Sequence, residues 1–264
     1  MTEPKRISII LASYGDPRIV GAIRSIRSFD DTGIVKIVLI DGGSSPEIQQ
    51  LIKASLREDD IFVSERDRGI FDALNKGLEA CDTEFIGWLG SDDVFTGNIK
   101  ASEVATELSS HDLLVANTVL VQDISAVPRG NVVRMTHALP ARCGGVPLGL
   151  HNPHYSTFGS ASLLRSERFR LDLRGADIDY FLRIFKKKPR VQTTNVVATV
   201  QGAGGFSTQS WSRMLRINTE LIGVYSRHAN WLVGPLAVAI KLSYKLLVTG
   251  YYRIHRIPVS RVLS

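Results

Sequence analysis

Two adjacent aspartates, Asp92 and Asp93, follow an apolar run that ends at Leu89. Neighbouring carboxylates repel each other unless a cation lies between them or one of them takes up a proton. Carboxylate oxygens are the ligands that Mg²⁺ and Mn²⁺ prefer, and such a metal completes its coordination with water and substrate phosphates. The pair therefore indicates a divalent cation site. The alternative is a turn or a helix cap, where aspartate is also favoured.

Two further segments place acids or glycines directly after short apolar runs. They are Ser13-Tyr14-Gly15-Asp16-Pro17 and Asp41-Gly42-Gly43. The preceding runs are rich in β-branched residues, as is typical of buried strands. Both segments therefore predict turns at strand ends.

Strands and helices must alternate to position these residues. The predicted strands cover residues 7–12, 35–40, 61–63 and 84–89, and apolar residues at helical spacing follow the first three, as at Ile19, Ile23 and Ile26. This alternation predicts an α/β fold with a mostly parallel, Rossmann-like sheet covered by helices on both faces. Ligands bind such sheets at the carboxyl ends of the strands, so we expect the site at that edge.

The rest of the chain is less regular. Residues 113–121 and 196–200 are strand candidates and residues 177–185 a helix, whereas no element is assigned between residues 122 and 160. The chain has 264 residues, of which 44% are hydrophobic, which suits one α/β domain with an appendage. The two cysteines form no metal-binding or disulfide pattern, and the start of the chain lacks the features of a signal peptide, so we expect a reducing, cytoplasmic setting.

The basic charge is concentrated in residues 211–264, which carry eight Lys and Arg against one acid although the whole chain has a net charge of only +6. Residues 231–249 are long enough to span a membrane, but Pro235, Lys241 and Lys245 interrupt them. Lys241 and Lys245 share one helical face, which predicts an amphipathic helix on an anionic membrane surface. The alternative is a helix packed on the domain. We see no nucleic-acid-binding motif.

The run from Asp67 to Gly77, "DRGIFDALNKG", resembles a motif of the family 2 glycosyltransferases, D-x-G-I-Y/F-D-A-x-N-x-G. "DGGSS", from Asp41, is similar to the D-G-S-S/T strand end of that family, and Asp92-Asp93 to its acidic pair. The strong part covers residues 6–95, and a weaker part extends to about residue 210. The resemblance implies a GT-A fold in residues 1–210, followed by the basic helical tail. The chain looks most like bacterial exopolysaccharide and O-antigen enzymes, including the colanic acid type.

The resemblance also implies roles for individual residues. Asp92 and Asp93 would hold Mn²⁺ or Mg²⁺, with Asp92 also near the ribose of a nucleotide-sugar donor. Asp72, Asn75 and Lys76 would point near this site, with a solvated helix face as the alternative. The remaining residues implied to surround the nucleotide are Ser13, Asp16, Asp41, Gly42, Asp67 and Gly69. Many relatives have an acid at the position of Gly90, in a D-x-D-D pattern, so metal binding here rests on two acids.

Inverting transfer requires a base that deprotonates the acceptor hydroxyl. "GADIDYF", from Gly175, resembles a later acidic segment of the family, which implies Asp177 as the base and Asp179 as the second candidate. The alternative is helix capping. His154 lies in a segment similar to H-x-x-x-F of relatives, although a lone histidine is more often structural. Gly204-Gly205-Phe206-Ser207 resembles a family G-G-x-S loop, or an ordinary turn before a helix.

These features predict an inverting glycosyltransferase, with a UDP-sugar as the favoured donor and a lipid-linked saccharide as acceptor, at the inner face of the bacterial cell membrane. A nucleotidyltransferase is disfavoured because the first strand lacks a Gly-rich, basic phosphate loop. A Rossmann dehydrogenase is disfavoured because GxGxxG is missing. An inert, membrane-associated scaffold of the same fold remains an alternative.

Overall fold

A computed structural model describes residues 6–127, 129–139, 153–202 and 211–263. The strands are β1 Ile7–Ser13, β2 Val35–Asp41, β3 Ile61–Ser64, β4 Phe85–Gly90, β5 Val94–Phe95, β6 Leu113–Val121, β7 Val132–Thr136, β8 Thr157–Ser160 and β9 Val191–Gly202. The helices are α1 Ile19–Phe29, α2 Pro46–Ser55, α3 Ile70–Ala80, α4 Ala101–Leu108, α5 Ala161–Leu164, α6 Ala176–Lys186, α7 Trp211–His228, α8 Val233–His255 and α9 Val259–Leu263.

The strands form one sheet in the order β3-β2-β1-β4-β8-β6-β9-β5, with β7 paired to β6. The first four strands in this order are parallel, as the alternation of strands and helices predicts. Beyond β4 the sheet is mixed, because β8 runs antiparallel to both β4 and β6 while β9 runs parallel to β6. The predicted α/β class is confirmed. The block of four adjacent parallel strands, β3-β2-β1-β4, comes from the N-terminal half of the chain.

The central strand β1 is mostly apolar and almost fully buried because helices cover both of its faces. Ile9 and Leu11 pack into the core beside α1, whereas Ile10 packs into the core on the opposite face beside α3. A Cβ atom at Gly77 would lie 2.5 Å from Ile10 Cγ2. A glycine at this position therefore lets α3 approach the strand closely.

The register of the parallel strands brings their carboxyl ends to one edge. Ser13 pairs with Asp41, Asp41 with Ser64, and Ala12 with Gly90. The loops that leave these four strands start at neighbouring positions. The edge expected from the sequence is therefore formed, with the acids and glycines of the motifs on it.

The C-terminal helices pack on the domain. Leu221 and Val224 of α7 and Ala237 of α8 join the same core as the strands, and a Cβ atom at Gly234 would overlap Ser226, so α7 and α8 lie close together. Tyr252 of α8 contributes to a smaller core with β7.

The orientation of α8 differs from the sequence prediction. Lys241 and Lys245 lie on the face that packs against the protein, whereas Leu246 and Leu247 are 74% and 73% exposed. The two lysines therefore do not supply charge to a membrane-facing surface, because the contacts with α7 and β7 turn them inward. Among the described residues, α8 alone is long and apolar enough to cross a membrane.

Candidate active site

The loop after β1 places Asp16 beside an arginine. The Asp16 carboxylate accepts hydrogen bonds from Arg18 Nε at 2.9 Å and from Arg18 Nη2 at 2.8 Å. Arg18 Nη2 also lies 3.5 Å from Asp92 Oδ2. Burial raises the pKa of Asp16, but the hydrogen bonds from Arg18 outweigh it, so the pKa lies below its ordinary value. One guanidinium thus links the loops that follow β1 and β4.

Asp41 organises the ends of β1, β2 and β3 from a fully buried position. Its carboxylate accepts hydrogen bonds from both the backbone N–H and the hydroxyl of Ser44, and from Ser64 Oγ at 2.6 Å. Ser44 Oγ accepts a hydrogen bond from Gly15 N–H at 2.7 Å, and Ser13 O accepts one from Gly42 N–H at 2.9 Å. Asp41 therefore holds three loops in place, and its direct contact with a nucleotide stays a prediction.

Gly42 and Asp67 meet at the same edge. A Cβ atom at Gly42 would lie 2.6 Å from Asp67 Oδ2, so the carboxylate approaches as closely as a glycine allows. Asp67 Oδ1 accepts a hydrogen bond from Gly69 N–H at 2.9 Å. Gly69 has φ +110°, a backbone conformation that favours glycine. The structure thus brings together three of the residues predicted to surround the nucleotide.

The polar residues of α3 have partners within the protein. Asp72 is buried and accepts hydrogen bonds from Arg68, while Lys76 Nζ lies 2.7 Å from Glu65 Oε1. Burial raises the pKa of Asp72, but the hydrogen bonds from Arg68 outweigh it and lower the pKa overall. The Asn75 amide donates to Phe169 O and accepts from Phe169 N–H, both at 2.9 Å. Asn75 therefore ties α3 to the segment that precedes α6.

The acidic pair has two different environments. Asp92 is partly exposed, whereas Asp93 is buried and accepts a hydrogen bond from Gln201 Nε2 at 3.2 Å. Burial, and then the charge of Asp92, raise the pKa of Asp93 to about 7. A Cβ atom at Gly90 would lie 2.6 Å from Asp93 Oδ2 and 3.3 Å from Asp92 Oδ1. A side chain at position 90, where many relatives have a third acid, would therefore require the carboxylate of Asp93 to shift.

Tyr155 is influenced electrostatically by both the acidic pair and Asp177. Burial, and then the charges of Asp93, Asp177 and Asp92, raise the pKa of Tyr155. The phenol therefore lies within electrostatic reach of the predicted metal ligands and of the predicted base. Asp177 is in the first turn of α6, and burial raises its pKa above the ordinary value. Asp92, Asp93 and Asp177, which are distant in the sequence, thus all act on one tyrosine.

Asp179 lies in an ion-pair network. It is fully buried, and its carboxylate oxygens lie 2.9 Å from His228 Nε2 and from Arg183 Nε. Burial raises the pKa of Asp179, but the hydrogen bonds from His228 and Arg183 outweigh it and bring the pKa to about 2. Residues two apart on a helix point in different directions, so the two acids have different neighbours: Asp179 contacts His228 at the end of α7, whereas the charge of Asp177 acts on Tyr155, Tyr225 and Lys241.

His154 belongs to an aromatic cluster. Its ring stacks on Tyr155 at a centroid distance of 4.6 Å and contacts Trp88 edge-on at 5.2 Å and Phe181 at 5.5 Å. This packing positions Tyr155 beside the acids. The predicted loop from Gly204 to Ser207 lies outside the described residues.

The profile of the family described as "Glycosyl transferase family 2" matches residues 8–144. The chain belongs to this family. Among curated relatives, an uncharacterized glycosyltransferase of Mycobacterium tuberculosis (strain ATCC 25618 / H37Rv) is 26% identical over 110 residues, 41% of this chain and 42% of the relative. The PGL/p-HBAD biosynthesis glycosyltransferase of Mycobacterium bovis (strain BCG / Pasteur 1173P2) is 27% identical over 108 residues, 40% and 42% of the two chains. The chain therefore spans about two fifths of the length of these relatives.

Solved structures of similar fold extend the likeness over most of this glycosyltransferase-family chain. S. aureus TarS 1-349 in complex with UDP-GlcNAc has a TM-score of 0.58 at 16% identity, covering 92% of this chain and 73% of that one. The mannosyltransferase PcManGT from Pyrobaculum calidifontis, in complex with GDP-Man and Mn²⁺, has a TM-score of 0.62 at 16% identity, covering 96% and 75%. The predicted family and GT-A fold are confirmed.

The acidic pair of this family 2 chain offers oxygen ligands that fit a divalent cation. Asp92 and Asp93 are close enough for their charges to repel, and both offer the hard oxygen ligands that Mg²⁺ and Mn²⁺ take. No cluster of three or more His, Cys, Asp or Glu in the described parts of the chain could hold a metal. The pair, completed by phosphate oxygens of a donor, is therefore the candidate metal site.

Two residues of the site have no counterpart among the sequence predictions. Arg18 lies two residues after Asp16, at the start of α1. Because arginine is a preferred phosphate ligand, its position next to a predicted nucleotide-binding loop could have identified it as a site residue from the sequence. Tyr155 is adjacent to His154, but its place beside Asp177 depends on how β4, α6 and the 153–156 segment pack. No local pattern in the sequence carries that information.

Proposed function

We propose that this chain is an inverting glycosyltransferase that moves a sugar from a nucleoside-diphosphate donor to a hydroxyl of a lipid-linked saccharide. The observation that carries the proposal is the position of Asp92 and Asp93 directly after β4, at the carboxyl edge of the parallel strands, with Arg18 Nη2 3.5 Å from Asp92 Oδ2. Family membership supports sugar transfer, and structures of similar fold hold UDP-GlcNAc and GDP-Man. UDP-sugars remain the favoured donors.

The chemistry divides between the two groups of acids. Asp177 takes the proton of the acceptor hydroxyl while the oxygen of that hydroxyl attacks the anomeric carbon of the donor sugar. The bond from the anomeric carbon to the diphosphate then breaks. The raised pKa of Asp177 makes its carboxylate a stronger base. Mn²⁺ or Mg²⁺ held by Asp92 and Asp93 would stabilise the charge of the leaving diphosphate. Arg18, beside Asp92, adds a cation suited to phosphate oxygens.

The proposed site of action is the cytoplasmic face of the bacterial membrane. The outer face of α8 exposes apolar side chains, with Leu247 and Ile254 at 73% and 78% exposure, and Arg253 and Arg256 are exposed near its end. Apolar residues flanked by cations suit the surface of an anionic bilayer. A peripheral position there would give the enzyme access to a lipid-linked acceptor.

Nucleotide binding tests the proposal directly. Thermal unfolding of the full chain should shift upward with UDP plus Mn²⁺, and less with UDP alone, because the metal site is completed by donor phosphates. Saturation at a hundred times the dissociation constant would add about 2.7 kcal/mol of stability. No shift with any nucleoside diphosphate would contradict the proposal and favour an inert scaffold. Hydrolysis assays over a panel of nucleotide-sugars would then identify the donor.

A further inference from the structure

Three basic residues from two elements gather beneath α8. Lys241 and Lys245 lie one turn apart on its inner face, and Arg134 lies on β7, against which α8 packs. Tyr252 Oη of α8 lies 3.5 Å from Met135 Sδ, next to Arg134. The charges of Lys245 and Arg134 both act on Lys241, and that of Arg134 acts on Lys245. We name these three residues the cation cluster.

The cation cluster lacks a matching set of acids. Asp177 is the single carboxylate of the described residues whose charge acts on Lys241; no carboxylate acts on Lys245 or Arg134, although the Tyr244 phenol acts on Arg134. Lys241 Nζ also lies 3.1 Å from Asn218 Oδ1. Burial lowers the pKa of Lys241 to about 8 and lowers the pKa of Lys245 and Arg134. Bringing partly buried like charges together costs folding free energy. Such costly groupings of charge are typical of functional sites, for example sites that bind an anion.

The position of the cation cluster indicates which anion it meets. Lys241 is within electrostatic reach of Asp177, the proposed base. On the opposite side of the same helix are the exposed Leu246 and Leu247. An anion in the cluster would therefore lie between the place where the acceptor hydroxyl reacts and the surface proposed to meet the membrane.

We propose that Arg134, Lys241 and Lys245 bind the phosphate or diphosphate group of a lipid-linked acceptor and hold its sugar beside Asp177. Arginine matches phosphate oxygens through paired hydrogen bonds, and the two ammonium groups add compact positive charge. The proposal rests on the proposed function for the identity of the acceptor.

Inorganic pyrophosphate, without divalent cations, is the first probe. Calorimetry on the full chain should show binding that Arg134→Gln and Lys245→Gln each weaken roughly tenfold, the loss expected for one charge-assisted hydrogen bond. Arg253→Gln, an exposed change on the same helix, should leave the affinity unchanged. Equal affinity in wild type and cluster variants, or no binding by wild type, would overturn the proposal.

Thermal stability separates an anion site from a structural role. Without an anion, Lys245→Gln should melt at or above the wild-type temperature, because a repelling charge has been removed. Melting below wild type in both Lys245→Gln and Arg134→Gln would show that the cations stabilise the fold, and would contradict the proposal.

Further variants separate the cation cluster from the donor site. Pyrophosphate binding should persist in Arg18→Gln, and protection by UDP with Mn²⁺ should persist in Lys245→Gln. If wild type binds pyrophosphate through the cluster but no nucleotide, the proposed function fails and the anion site stands. If nucleotide binds but pyrophosphate binding requires Arg18 rather than the cluster, the anion site fails alone.

Vesicles distinguish the lipid source of the phosphate. Phosphatidylcholine vesicles carrying polyprenyl diphosphate should retain less Lys245→Gln than wild type, whereas vesicles of equal surface charge carrying phosphatidylglycerol should retain both equally. An equal loss on both kinds of vesicle would assign the cation cluster to phospholipid head groups and overturn the acceptor assignment.

Discussion

Gly90 lies against the carboxylates of Asp92 and Asp93, so a side chain at this position would compete with them for space. An aspartate at position 90 would add a third carboxylate, but its Cβ atom would overlap the present position of the Asp93 carboxylate. The metal site therefore depends on two acids and on the donor. Weak affinity for Mn²⁺ alone, rising in the presence of UDP, is the expected behaviour of such a site.

Gly90→Asp tests this reading of the pair. We expect it to destabilise the fold by about 1–3 kcal/mol through overpacking, without tightening Mn²⁺ binding. Urea unfolding and calorimetric Mn²⁺ titration would measure the two effects. Gly97→Asp is a matched control, because a Cβ atom there has no neighbour within 4 Å. Tighter Mn²⁺ binding by Gly90→Asp would show that the site accommodates a third acid.

Asp177→Asn tests the assignment of the base. The variant should bind UDP as wild type does and lose transfer activity by about 10²–10⁴-fold, because an amide cannot accept the hydroxyl proton. UDP titration and a transfer assay with the identified donor would separate the two properties. The exposed Asp172 provides a control as Asp172→Asn. Unchanged turnover in Asp177→Asn would reject the assignment.

At the scale of elements, α6 carries two acids with different surroundings. The charge of Asp177 acts on Tyr155 and Lys241, whereas Asp179 joins α6 to α7 through His228 and pairs with Arg183 within its own helix. The helical pattern of "ADIDYF" predicts both acids near the start of a helix. Which one is fully buried depends on where α7 packs.

Asp179→Asn should lower the free energy of unfolding by about 3 kcal/mol at pH 7, since it removes the buried carboxylate that His228 and Arg183 both contact and leaves Arg183 with Glu167 as its acidic partner. The folded pKa of about 2 lies below the unfolded value of about 3.9, so the stabilisation is present above about pH 4 and is lost as the pH falls towards 2. Urea unfolding of wild type and variant across this range should show the gap closing. A gap independent of pH would exclude the ion pairs as its cause.

Element prediction succeeded where the pattern is local. The strands before Asp41 and Asp92, and the helix with apolar Ile23 and Ile26, follow from continuous apolar runs and helical spacing. The short strands β7 and β8 were missed, because four or five residues carry little periodicity. Strand order beyond β4 also lay outside prediction, since β8 pairs with partners distant in sequence.

In the whole molecule, the described residues place the candidate active site at the carboxyl edge of the parallel strands and expose an apolar surface on α8. The sequence predicts an amphipathic tail whose lysines face an anionic membrane surface, whereas in the structure these lysines face the protein. Lys241 and Lys245 face the protein, while leucines and Ile254 face outward. Apolar area rather than lysine charge is therefore expected to dominate membrane attachment.

Leu247→Glu should weaken binding to phosphatidylglycerol vesicles by roughly tenfold or more, because a fully buried leucine contributes about 1.5–3 kcal/mol. Flotation or co-sedimentation of the full chain would measure it. Leu51→Glu is the matched control, since Leu51 is also exposed, at 46%, but lies on α2. Equal binding by wild type and Leu247→Glu, or no binding by wild type, would contradict a membrane-facing α8.

Local patterns in the chain were enough to predict the family, the alternating elements and the edge that carries Asp16, Asp41, Asp92 and Asp93, because apolar periodicity and strand-end motifs are local properties. Which side chains meet follows from the folded structure. Asp41 is buried among serines, Arg18 lies between two acids, the charge of Asp177 reaches Tyr155, and Lys241 faces the protein. These outcomes depend on packing between distant segments, and no spacing within one segment encodes them.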